Sequence, residues 1–144
     1  ASESRESAAL FLEAVKIARD ARTKEELAEA IGRYERILQS GLRNGHILYN
    51  LGICYLNGGF PEKAEKVLCS SLLCNPYHTG SNLALARANY AMGRMAQSHL
   101  AYQMAILLNP SLTLIGEYEN VISGKTDKAV SFSAAPGQCR RPGP

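Results

Sequence analysis

Tryptophan is absent from the 144 residues, phenylalanine occurs three times, and aromatic residues make up 7% of the chain. The core must therefore be built from aliphatic side chains and tyrosines. A hydrophobic share of 46% excludes wholesale disorder. Long apolar runs are missing too. Nothing approaches the roughly 18 uninterrupted apolar residues of a membrane span, so none is expected. The first five residues, Ala1-Ser2-Glu3-Ser4-Arg5, are polar and charged, unlike a signal peptide.

The constellations that carry chemistry are also lacking. Cys54, Cys69, Cys74 and Cys139 include no Cys-x-x-Cys pair and no zinc spacing. Four cysteines admit three pairings and the sequence selects none, while Cys54 and Cys74 read as small buried hydrophobes. His46, His78 and His99 are scattered and read as lone surface histidines. Cys74 and His78 are four apart, but Pro76 breaks the helix between them, so they cannot form a one-face ligand pair. No Ser-His-carboxylate set, phosphate-binding glycine loop or spaced carboxylate pair stands out. The expectation is a non-enzymatic protein with no metal and no cofactor.

Charge is low and unevenly placed. Residues 1–124 hold twelve basic and twelve acidic side chains, so the net +3 belongs to Lys125, Lys128, Arg140 and Arg141 against Asp127. A neutral body lacks the clustered basic face that nucleic acid requires. From Val67 to Ala86 no residue is charged. Two readings are open. Either a helix over 61–74 is buried by both neighbours, or Cys69, Leu73 and Tyr77 form an apolar convex patch for self-association.

What the sequence does contain is a period. Asn75-Pro76 recurs as Asn109-Pro110, Gly59 as Gly93, Leu51 as Leu85, Leu68 as Tyr102 and Leu72 as Ile106, always 34 residues on. Ala30, Tyr34 and Leu38 pair with Ala64, Leu68 and Leu72 at the same offset. Three units follow, 11–44, 45–78 and 79–112. The local signals agree with paired helices. Thr23-x-x-Glu26 is a capping box, and Gly41 sits where a helix should stop. Gly58-Gly59 and Gly93 supply tight turns, Pro61 suits a first helical position, and each Asn-Pro ends a helix. Helices are expected near 4–21, 24–40, 45–57, 61–74, 80–92 and 95–108. After Pro110, Leu114, Ile115, Tyr118, Val121 and Ile122 recur at helical spacing and suggest a capping helix over about 112–123. Residues 125–144 read as a flexible basic tail, which leaves 1–124 as the folded domain.

The middle unit, with Leu48, Leu51-Gly52, Tyr55, Ala64, Leu68 and Pro76, resembles the tetratricopeptide repeat. The resemblance implies an all-α, right-handed solenoid of three helical hairpins, closed by the capping helix. It also implies that Gly52, Ala64, Ala86 and Ala105 lie where helices approach closely. In that family the first helix of each unit lines a concave groove that binds a peptide or helix of a partner protein. Carried onto this chain, the groove residues are Leu12, Val15, Arg19, His46, Tyr49, Asn50, Ile53, Leu83, Arg87 and Tyr90. The Lys-Asn-Arg clamp of the chaperone-tail subclass is not reproduced, since Asn50 alone matches it.

The strings Tyr34–Gly41, Asn44–Gly52 and Asn82–Arg87 resemble the repeat segment of Bat aerotolerance-operon proteins of bacteria. That resemblance implies an envelope-associated assembly; the compartment is open between bacterial envelope, periplasm and cytoplasm. A second resemblance is to secretion chaperones with three such repeats. The functional expectation is a protein-binding adaptor or scaffold. The alternatives are a chaperone holding an extended cargo segment and a self-assembling structural protein, so a homo-oligomer stays open.

Overall fold

The computed structural model describes residues 2–114. Among them are six α-helices and no strand: α1 (Ser2–Asp20), α2 (Lys24–Gln39), α3 (Gly45–Asn57), α4 (Pro61–Cys74), α5 (Thr79–Ala91) and α6 (Met95–Leu108). A 3-10 turn over Pro110–Leu114 follows. Each helix boundary falls within two residues of the one expected from the sequence. The expected capping helix coincides with that 3-10 turn as far as Leu114, and its remainder lies outside the described residues. The 125–144 tail lies outside them as well.

The boundaries have local causes. Thr23 Oγ1 accepts from the Glu26 N–H at 3.1 Å and caps α2. The Glu26 carboxylate returns to the Arg22 N–H at 2.9 Å, one residue earlier than in the usual box. Asn44 Oδ1 caps α3 through the Ile47 N–H at 2.9 Å. Gly59 and Gly93, with φ of 83° and 76°, take the left-handed conformation that closes α3 and α5. A side chain there would be strained, so the 34-residue recurrence of glycine is a backbone requirement.

Neighbouring helices pair along the chain. Gly45 meets Ser71 and Cys74, Gly52 meets Leu68, and Lys63 Nζ lies 5.8 Å from the Tyr55 ring centre. The numbers fall on α4 as they rise on α3, so the two run antiparallel. Phe11 against Tyr34 (ring centres 6.4 Å apart) and Glu13 against Arg33 (2.9 Å) give α1 and α2 the same sense. Beyond the pairs, α2 packs on α3, α4 on α5, and α3 touches both α1 and α5. Tyr55 donates to Glu35 at 2.8 Å across the α2–α3 seam, and Arg94 bonds Glu65 at 2.7 Å between the start of α6 and α4.

Most of the core lies between α1 and α5, around Phe11, Tyr34, Ile47, Leu51, Cys54, Ala64 and Leu68. A smaller cluster, with Leu83, Ala86, Ala101, Tyr102, Ala105 and Leu112, joins α5 to α6 and the 3-10 turn. The close approach at Gly52 is tight. An added Cβ would stand 2.7 Å from Leu68 Cγ and Cδ2, well inside van der Waals contact.

Candidate functional site

All ten candidate residues lie on α1, α3 and α5, and α3 touches the other two. The arrangement therefore brings the three helices together side by side, although it exposes their residues unequally. Leu12 and Arg19 are exposed, while His46, Arg87 and Tyr90 are half-buried. Val15, Tyr49, Asn50, Ile53 and Leu83 are buried. Of the ten, Leu12, Arg19, His46, Arg87 and Tyr90 thus keep solvent-accessible surface.

Burial has a specific cause at two of these positions. Asn50 is fully enclosed and acts on the Tyr34 hydroxyl, which is also buried and lacks a hydrogen bond of good geometry. Burial pushes the Tyr34 hydroxyl well above the usual tyrosine range, so it stays neutral. Tyr49 is covered by the start of α5. Its ring packs edge-on to His78 with centres 4.8 Å apart, and a Cβ at Gly80 would come within 3.0 Å of its hydroxyl. Glycine at position 80 is what lets the two helices close over that ring.

His78 is the residue that sequence reasoning misjudged. It is half-buried at the N-terminus of α5, with His46, also half-buried, 6.3 Å away ring to ring, so neither of the two is a lone surface histidine. Burial lowers the pKa of both imidazoles, and His46 adds to the effect at His78. The signal was faint: Asn75-Pro76 ends α4, so a cap must follow within a few residues, but histidine is not among the residue types usually expected there.

The cysteines divide. Cys54 is buried, as expected, and burial pushes its thiol up to about 12, so it is inert. Cys69 is exposed, and burial of its neighbourhood together with Glu65 raises its pKa as well. Cys74 is disulfide-bonded, which corrects its reading as a small buried hydrophobe. Among the described residues no cluster of three or more His, Cys, Asp or Glu is placed to hold a metal ion. Of the described helices, none is long and apolar enough to cross a membrane.

The uncharged stretch divides between the two readings: α4 packs on both α3 and α5 and buries Leu68 and Ser71, and residues 81–84 are buried as well, whereas the three patch residues are open. Leu73 and Tyr77 are 68% and 77% exposed, and Cys69 is exposed beside them. Leu100 and Leu107 on α6 are open to similar degrees. Apolar side chains therefore stand on the outer side of both α4 and α6. The chain matches no family model, no curated protein and no solved structure.

Proposed function

We propose that this chain is a non-enzymatic protein-binding module of the tetratricopeptide type, a three-hairpin solenoid that takes a peptide or helix of a partner along α1, α3 and α5. The observation that carries the reading is the lateral contact of α3 with both α1 and α5. Helices separated in sequence by α2 and α4 are thereby placed as neighbours. Exposed or half-buried Leu12, Arg19, Arg87 and Tyr90 give that surface apolar, aromatic and cationic character. Arginine and tyrosine are enriched at binding hot spots. A partner with an apolar face and an acidic group suits it best.

Because Tyr49 is buried, the variant that isolates the groove is Arg87→Ala with Tyr90→Ala. Capture of a partner from the native source, identified by mass spectrometry, should be lost. The helical circular-dichroism signal should hold, with the melting temperature lowered only by the loss of the Tyr90 ring from the α5–α6 cluster. Undiminished capture by the folded variant would dismiss the groove.

A second reading is self-assembly through the outer side of α4 and α6. It is favoured by the exposed Leu73 and Tyr77 at the end of α4, and by the exposed Leu100, Met104 and Leu107 on α6, a helix without a charged residue.

A further inference from the structure

The start of α5 is held by a histidine instead of a short polar cap. His78 Nδ1 accepts from the Ser81 N–H at 3.1 Å and lies 2.6 Å from Ser81 Oγ. Ser81 Oγ stands 2.9 Å from Ser71 Oγ on α4, and the Ser71 hydroxyl donates to the Gly45 carbonyl on α3 at 2.9 Å. Both serines are buried. One chain of polar atoms thus joins the start of α3, the end of α4 and the start of α5.

Only an unprotonated ring nitrogen can accept from the Ser81 N–H, so in this arrangement the neutral ring carries its proton on Nε2. A second proton turns Nδ1 from acceptor to donor. It can then donate to Ser81 Oγ, but the Ser81 N–H is left facing another N–H. The cap is lost even as the serine chain gains a proton.

Three features oppose the cation. The ring is half-buried, it sits at the positive end of the α5 helix dipole, and a second imidazole, His46, lies 6.3 Å away. The groups facing the ring are His46 and Tyr49 from α3, Ser81 from α5, and Ser71 from α4 by way of Ser81. Of these, His46 becomes charged in mild acid, and its charge has the same sign.

We propose that His78 is an acid-sensitive latch at the start of α5, beside its junction with α3 and α4. When neutral it caps α5 through the Ser81 N–H; when protonated it releases that cap and loosens the first turn of α5. The inference rests on this packing alone and stands whether or not the groove binds a partner. The sign follows from linkage. The folded state holds the His78 proton less tightly than the unfolded chain, whose value is 6.5. The stabilisation is therefore complete above pH 6.5 and is lost as pH falls from there toward the lower folded value.

The test is thermal unfolding of the full chain, followed by circular dichroism from about pH 8 to about pH 5. Wild type is compared with His78→Asn, which keeps a capping acceptor but does not titrate in this range. Wild type should lose roughly 4 °C or more relative to the variant over that interval. Parallel profiles would overturn the latch. If the variant does not fold, NMR titration of the wild type decides. The His78 ring should titrate below the ordinary histidine value, and the Ser81 amide should shift with the same midpoint. A ring that titrates at or above that value, or a Ser81 amide that does not respond, overturns the proposal.

Discussion

The α3–α4 and α5–α6 hairpins share one 34-residue frame and differ on both of their faces. At the seam, Gly52 and Leu68 of the first correspond to Ala86 and Tyr102 of the second. Leu68 stands so close to α3 that position 52 has no room for a Cβ, whereas Ala86 keeps its methyl beside a buried Tyr102. The outer face changes more. Lys66, Ser70 and Leu73 of α4 become Leu100, Met104 and Leu107 of α6, with Leu100 65% and Leu107 76% exposed. The period constrains the seam because two helices must fit there. It leaves the outer face to whatever that face meets.

The largest effect should come from the seam. Gly52→Leu should prevent folding. Gly52→Ala should cost about 1–3 kcal/mol by overpacking against Leu68, while Ala86→Gly should cost about 1 kcal/mol, the helix penalty of glycine. Denaturant unfolding measures all three, and equal costs for Gly52→Ala and Ala86→Gly would erase the distinction between the seams.

The outer faces come next. If α6 is the self-association surface, mass by light scattering should rise with concentration in the wild type. Leu100→Lys with Leu107→Lys should raise the midpoint about tenfold or more. Lys66→Leu, which gives α4 the apolar character of α6, should lower it. Mass that stays monomeric in the wild type would remove self-assembly.

The smallest effect concerns two serines. Ser98 on α6 donates to the Ala86 carbonyl at 2.7 Å, and Ser98→Ala should cost about 1 kcal/mol by loss of that bond. Ser71→Ala should cost more, since Ser71 bonds Gly45 and also meets Ser81. Chemical denaturation of the two variants in parallel gives the order.

Much of this fold was legible beforehand because its signals are local. Thr23, Gly59, Gly93 and the Asn-Pro pairs act within a turn of where they stand, so they marked the helix ends to within two residues. The candidate site was less legible. Position in a repeat frame says which helix a side chain belongs to, but not how deeply a neighbour covers it. Tyr49 illustrates the gap. Its frame position assigns it to the groove, yet Gly80 allows α5 to approach and bury its ring. His78 was missed because histidine is an unusual cap, and because Ser71, which extends its contact with Ser81, arrives from α4.

The sequence by itself determined the six helices, their turns and the scarcity of charge through the middle of the chain, since capping, left-handed glycine and composition need no tertiary partner. The absence of tryptophan had its counterpart in the structure: tyrosine, alanine and leucine fill the core, with Tyr34 its largest fully buried side chain. Only the tertiary structure decided what faces out. Leu73 and Tyr77 could have been covered by neighbours, and Tyr49 could have been open. Exposure is a property of the gap between helices, and no single helix contains that gap.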